Sequence, residues 1–308
     1  MCIRDRARAH VAELLEAREP EVRVLEYERG NGPLRVRNLI SLGRRLRREG
    51  FELAFLLPNS LSSAMIARLA GVPQRVGYST DGRGWLLTQR LEDRRKERGL
   101  HQVDYYLGLL RSFGVSRMDR IPHLKLKQEV IERGLSLLDI LGIENNELLV
   151  GVHPGASYGE TKKWFPERFA QVMDLLQKPG RRFVLLGGPG EEPLAERISA
   201  IMASSPINTV GKTTVAEALA LVRRCGLFLG NDSGLMHAAA ALGVPQVALF
   251  GSTDPEKTAP LNDKAVVIHP KGVSCTPCFK SKCPENLECM KAITVDEVYV
   301  AAEKLLES

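Results

Sequence analysis

The chain has 308 residues, 44% hydrophobic and 26% charged, an ordinary balance for a folded protein long enough to build two domains with separate cores. Lys and Arg number 43 against 37 Asp and Glu, a formal net charge of +6. No apolar run is long enough to span a bilayer, and 6% aromatic residues without a nucleic-acid-binding motif argue against nucleic acid as a partner.

The chain opens Met1-Cys2-Ile3-Arg4-Asp5-Arg6 and runs into Ala7–Arg18, which reads as a helix, followed by Val22-Arg23-Val24-Leu25 as a strand. The positive surplus belongs to this half: residues 1–150 carry 26 Lys and Arg against 20 Asp and Glu, whereas residues 151–308 carry 17 of each. Of those 26 cations 23 are Arg, among them Arg35, Arg37, Arg44, Arg45, Arg47 and Arg48, then Arg90, Arg94, Arg95 and Arg98. Guanidinium groups suit bidentate contact with phosphate and carboxylate, and a run such as Arg44–Arg48 equally forms the solvated face of an amphipathic helix. His101 and Tyr105 lie one helical turn apart and share a face. A helix over 128–141 leads to the polar stretch Gly142-Ile143-Glu144-Asn145-Asn146-Glu147, a turn-forming hinge that predicts two domains, 1–145 and 146–308.

Beyond the hinge, short apolar runs alternate with helical patterns. Strands are expected at 148–152, 182–187, 207–210, 226–230 and 245–250, and helices at 166–177, 191–203, 213–224 and 234–242. Such alternation predicts a parallel sheet covered on both faces, with ligands at the carboxyl ends of its strands. Three turns fall on that edge. His153-Pro154-Gly155-Ala156-Ser157-Tyr158-Gly159-Glu160-Thr161-Lys162-Lys163-Trp164 joins a strand to a proline-started helix and brings glycines and two lysines, a cradle for an anion unless it is only a solvated basic loop. Phe183–Gly190 ends a strand in a glycine-rich turn, with Glu191 and Glu192 opening the next helix. A carboxylate there either binds a ribose diol or complements the helix dipole. Gly230-Asn231-Asp232-Ser233-Gly234-Leu235-Met236-His237 lets Asp232 and Ser233 cap a helix whose free amides favour a phosphate. The spacing of Gly187-Gly188-Pro189-Gly190 does not fit the Gly-x-Gly-x-x-Gly of a dehydrogenase.

Four of the six cysteines follow as Cys275-x2-Cys278-x4-Cys283-x5-Cys289. The spacing is compatible with a structural zinc site, with reduced thiols, or with disulfides. The last helix is expected over Val295–Leu306.

These motifs, with Leu57-Pro58-Asn59-Ser60, Leu69-Ala70-Gly71-Val72-Pro73, Arg75-Val76-Gly77-Tyr78, His101–Tyr106 and Phe250-Gly251-Ser252-Thr253-Asp254-Pro255, resemble the ADP-heptose:lipopolysaccharide heptosyltransferase family over nearly the whole chain, and most closely its heptosyltransferase II branch. The resemblance implies two Rossmann-like domains of GT-B type. It implies inverting transfer of the second heptose from ADP-L-glycero-D-manno-heptose to the inner core of lipopolysaccharide, with the donor on the C-terminal domain and the acceptor on the N-terminal one. Lys162 matches the lysine that contacts the donor diphosphate, with Lys163 beside it. Asp232, Ser233, Gly234, Leu235 and His237 match the second donor loop, Glu191 the ribose-binding acid, and His101 falls in an acceptor-side segment, where it either binds acceptor or is a structural histidine. No cofactor is then required, since amides and Lys162 stabilise the leaving diphosphate. The setting implied is cytoplasmic, at the inner face of the inner membrane, where the arginines meet acidic sugars, phosphates or lipid.

Family members open with a strand, a glycine-aspartate turn and a helix, and that aspartate is the general base. Asp5 is not in the matching context, so the chain is expected to lack the first strand and helix together with the base. Two alternatives follow from the sequence: a donor-binding homologue without transfer activity, or a nucleotide-sugar epimerase that uses UDP.

Overall fold

The computed structural model describes residues 4–5, 9–19, 23–25, 33–95, 97 and 99–307. In chain order the first elements are β1 (Arg4–Asp5), α1 (Ala9–Glu16), β2 (Arg18–Glu19), β3 (Arg23–Val24), α2 (Pro33–Arg47), β4 (Leu53–Phe55), α3 (Leu61–Leu69), β5 (Gln74–Tyr78), β6 (Gln89–Leu91), α4 (Gln102–Arg111), β7 (Lys125–Leu126) and α5 (Gln128–Ile140). There follow β8 (Leu148–His153), α6 (Pro166–Leu176), β9 (Arg181–Leu185), α7 (Glu192–Ile201), β10 (Ile207–Asn208), α8 (Val215–Arg224), β11 (Leu227–Asn231), α9 (Gly234–Ala241), β12 (Gln246–Leu249), α10 (Pro255–Thr258), β13 (Ala265–Ile268), α11 (Glu288–Ala292) and α12 (Val295–Leu306).

The chain divides into two compact units, residues 1–12 with 23–120 and residues 13–22 with 121–308. This differs from the boundary expected at 142–147. The helix α5 belongs to the second unit because it packs on α8, with Gly134 so close to Ala220 that a Cβ would overlap the alanine side chain. The polar turn at 142–147 is therefore internal to that unit, where the Arg224 guanidinium donates to Asn145 O at 2.7 Å and Glu147 O at 3.0 Å.

Among the described residues of the first unit, β4, β5 and β6 form a parallel sheet, and β1 pairs in parallel with β3. The amphipathic reading of the arginine run holds locally. Leu39 and Leu42 are buried against Ile66, while Arg44, Arg45, Arg47 and Arg48 are exposed. Beneath the sheet edge lies Arg83, 0% exposed. Its Nε donates to Tyr78 O at 2.9 Å, and its two terminal nitrogens reach Pro58 O, Ser63 Oγ at 2.9 Å and Asn59 Oδ1 at 3.2 Å. The Pro58-Asn59-Ser60 turn is thus built around a buried guanidinium. Tyr105 stacks on Tyr78 with ring centroids 3.9 Å apart and donates its hydroxyl to Asn59 Oδ1 at 3.2 Å; burial pushes that phenol up to about 12.

In the second unit, six parallel strands among the described residues run in the order β10-β9-β8-β11-β12-β13. The inner strands are buried along nearly their whole length, for instance Leu149, Val150 and Val152 on β8 and Leu227, Phe228 and Leu229 on β11, as expected for a sheet covered on both faces. One face packs on α6, α7 and α12 through Phe169, Met173, Ile198 and Val298, the other on α8 and α9 through Leu221, Val222 and Met236. The expected strands and helices of this half all form, with ends shifted by at most a few residues. Three elements were not anticipated: β13, which adds the outer strand beyond β12, and the short helices α10 and α11. Among the described residues no helix is long and apolar enough to cross a membrane.

Candidate active site

Strand order reverses between β8 and β11: the chain proceeds outward from β8 through β9 to β10, and in the other direction from β11 through β12 to β13. Loops leaving two such strands diverge, and a crevice opens at their carboxyl ends. His153 ends β8 and Asn231 ends β11, so the first and third turns singled out in the sequence flank this point.

Asn231 is fully buried and joins the two loops. Its Nδ2 donates to Pro154 O at 2.7 Å, and its Oδ1 accepts from Trp164 N at 3.1 Å, so one amide grips both ends of the 154–164 loop. Trp164 is 1% exposed and anchors the far end by donating Nε1–H to Ile293 O at 3.2 Å. Between these anchors a single 3-10 turn, Glu160–Lys162, carries Lys162 back over the crevice. Its Nζ lies 2.6 Å from Asp232 Oδ2, and the Thr253 hydroxyl donates to the same oxygen at 2.7 Å. Asp232 is 5% exposed and the Lys162 side chain 16%, so this is a desolvated pair on the rim of the site.

A second chain of contacts links three loops. His153 places Nδ1 3.0 Å from Ser233 Oγ and Nε2 3.3 Å from Glu191 Oε2, and Gly188 N–H donates to that carboxylate oxygen at 3.0 Å. Burial works to raise the Glu191 carboxyl. His153, the Gly188 amide and the nearby Lys163 charge outweigh it and hold Glu191 below the usual carboxylate range. Gly155 makes the arrangement possible, because a Cβ there would overlap the Glu191 carboxylate. Ser233 also caps α9, its Oγ accepting from Met236 N at 3.4 Å. The first amides of α9, at Gly234 and Leu235, have no partner in the helical ladder, and the space beside Gly234 is open. Lone amides, the helix dipole and Lys162 together make this edge strongly anion-seeking.

Lys162, Lys163, Glu191, Asp232, Ser233, Gly234, Leu235 and His237 thus come to one sheet edge, with His237 exposed on the first turn of α9. His101 takes the structural one of the two places the sequence left open to it. It is 5% exposed and caps α4, its Nδ1 accepting from Val103 N at 3.2 Å, which makes it a structural histidine rather than one presented to an acceptor. Asp5 lies in the two-residue strand β1, and its side chain is outside the described set. Sequence reasoning passed over His153, Asn231 and Thr253 as site residues. The available signal was positional, since each sits at the end of an apolar run where polar side chains must serve the edge.

The cysteine segment abuts the same loop. Tyr158 donates its hydroxyl to Phe279 O at 2.6 Å, Thr161 Oγ1 donates to Lys280 O, and Cys283 N donates to Glu160 Oε1 at 3.2 Å. Cys275, Cys278, Cys283 and Cys289 line one cavity of about 190 Å³. All four are free thiols, and among the described residues no group of three or more His, Cys, Asp or Glu side chains is already positioned to hold a metal ion. Burial pushes the Cys289 thiol up, and the three other cysteines add to the shift.

Comparison with known proteins gives one consistent result. Residues 39–288 match the sequence profile of glycosyltransferase family 9 (heptosyltransferase). Lipooligosaccharide heptosyltransferase 2 of Haemophilus influenzae is 33% identical over 267 residues, covering 82% of this chain and 76% of that protein. Among solved structures, ADP-heptose lps heptosyltransferase II of E. coli superposes with a TM-score of 0.81 at 26% identity, over 99% of this chain and 89% of that one. A family 9 glycosyl transferase of Veillonella parvula gives 0.85 at 25% identity, over 100% and 89%.

Proposed function

Because the chain belongs to glycosyltransferase family 9, the heptosyltransferases, we propose that it transfers a heptose from ADP-heptose to the inner core of lipopolysaccharide, as the second such addition, with inversion. The observation that carries this reading is the Lys162–Asp232 pair beside the open amides of α9, at the reversal point of the sheet. When the acceptor hydroxyl attacks the anomeric carbon, the bond from that carbon to the diphosphate oxygen breaks and negative charge grows on the departing ADP. Lys162 and the Gly234 and Leu235 amides meet that charge in a partly desolvated site, so no cofactor is assigned to the chemical step. Asp232 holds Lys162 over the crevice before the donor arrives. The acceptor proton passes to a base that we do not assign within the described residues.

Glu191, oriented by His153 and Gly188, accepts hydrogen bonds from the ribose diol. Gly155→Ala tests this without touching an ionisable group. The added methyl displaces the carboxylate, and ADP affinity is expected to fall about tenfold, or ~1.4 kcal/mol, for one lost charge-assisted contact. An affinity equal to that of the parent, by calorimetry, would remove Glu191 from the nucleotide site.

Access to a lipid-linked acceptor fits a peripheral position at the cytoplasmic face of the inner membrane. Arg44, Arg45, Arg47 and Arg48, exposed on and just after α2, supply the positive surface that anionic lipid or core phosphate attracts. Calorimetric titration with ADP and UDP, followed by a transfer assay with ADP-heptose and heptose-deficient lipopolysaccharide, tests the whole reading. ADP binding with transfer is the expected result. Preference for UDP would favour an epimerase, and ADP binding without transfer a donor-binding homologue.

A further inference from the structure

Between β13 and α11 the chain runs through residues 269–287 without a helix or strand, and none of residues 271–287 is buried. Loops of this length inside a compact domain are uncommon and generally have a specific reason to be ordered. Apolar packing supplies little of one here: within 271–287, Val273 and Leu287 pack on the core, and both are only partly buried. The loop nonetheless follows a defined path, with backbone bonds from Cys278 N and Phe279 N to Ser252 O at 3.0 and 2.9 Å and side-chain bonds to Tyr158, Glu160 and Thr161. Within it, Phe279, Asn286 and Leu287 adopt left-handed backbone conformations. Such conformations persist in non-glycine residues only where the surroundings over-determine them.

The geometry points to a structural tetrathiolate site in which Cys275, Cys278, Cys283 and Cys289 bind one thiophilic divalent ion, zinc by ligand chemistry, and so lock this loop against the donor loop. All four cysteines line a single cavity whose volume of about 190 Å³ exceeds the needs of one ion. Binding contracts it by drawing Cys275, Cys278 and Cys283, which lie on the loop and are only partly buried, toward Cys289, which is 4% exposed and fixed in the core. Cys283 Sγ already accepts backbone N–H bonds from Glu285 and Leu287, both at 3.3 Å, the kind of support that stabilises a thiolate ligand. One divalent ion displaces four thiol protons to solvent and leaves a net charge of −2 on the centre, which Lys280 in the cavity wall offsets against the opposing Glu285. Thr161, one residue before Lys162, also lines the cavity and bonds both Ser252 and Lys280. The ion therefore fixes the base of the turn that presents Lys162, a consequence that rests on the donor-site reading above.

The test is metal analysis of the full chain purified without chelator, with cobalt(II) exchange as an independent readout. One zinc per chain is expected, with thiolate-to-cobalt charge-transfer absorption after exchange, and both are expected to vanish in the Cys278→Ser, Cys283→Ser variant. Stripping the metal from the parent chain should raise the ADP dissociation constant several-fold. A metal-free chain in zinc-containing buffer, four freely reactive thiols, or disulfides found by mass spectrometry would overturn the site; iron in place of zinc would keep the site and change the ion. Unchanged ADP affinity after stripping would overturn the link to the donor loop. Metal content is read without nucleotide, so its outcome is separate from that of the donor site.

Discussion

Lys162→Met is expected to lower kcat by about 10²–10³-fold, the loss typical of removing one preorganised group that stabilises charge in the transition state. The lysine has few substitutes because the neighbouring donors are backbone amides with fixed partial charge. The same change also strips Asp232 of its cation. That carboxylate is 5% exposed and would keep only the Thr253 hydroxyl, so stability should fall by about 3–5 kcal/mol. The two effects separate in the double variant Lys162→Met, Asp232→Asn. Removing the buried charge should restore much of the stability, read from urea unfolding, while transfer stays low. Recovery of kcat in the double variant would show that Lys162 serves the fold rather than the diphosphate.

A second large effect is expected far along the chain from the donor loops. Arg83→Met keeps length and apolar volume and removes every donor of the guanidinium. Three bonds of ordinary length, to Tyr78 O, Ser63 Oγ and Asn59 Oδ1, disappear together with the contact to Pro58 O. Hydrogen bonds to charged groups contribute roughly 1.5–3 kcal/mol each, part of which is offset by no longer burying a cation, so a net loss of about 3 kcal/mol is expected for the first unit. Burial already lowers the Arg83 pKa, which marks the desolvation that these acceptors compensate. Urea unfolding that agrees with the parent to within about 1 kcal/mol would mean that neighbouring hydroxyls can serve the same carbonyls.

The two variants separate what sequence and tertiary structure each decided. The alternation of apolar strands with helices through residues 148–250 was legible because a buried parallel strand must be apolar on both faces, and that pattern is local. Lys162, Glu191, Asp232 and Ser233 were legible for a related reason, since turns at the carboxyl ends of such strands are where charged residues meet free amides. The resemblance to a known family supplied the roles proposed for them. The boundary near residue 120 was not legible. The turn at 142–147 has the composition of a hinge, and only the packing of α5 on α8 shows that it lies inside a unit. Nor was His153 legible, because its role depends on Ser233 and Glu191, 80 and 38 residues away in sequence. Arg83 read as one cation among many in a basic half, and His101 as either a ligand or a structural histidine, until their burial was known. A side chain's charge and its neighbours along the chain are written in the sequence; its desolvation and its distant partners arise only when the chain is packed, and these decide whether a polar group binds a ligand or holds the fold.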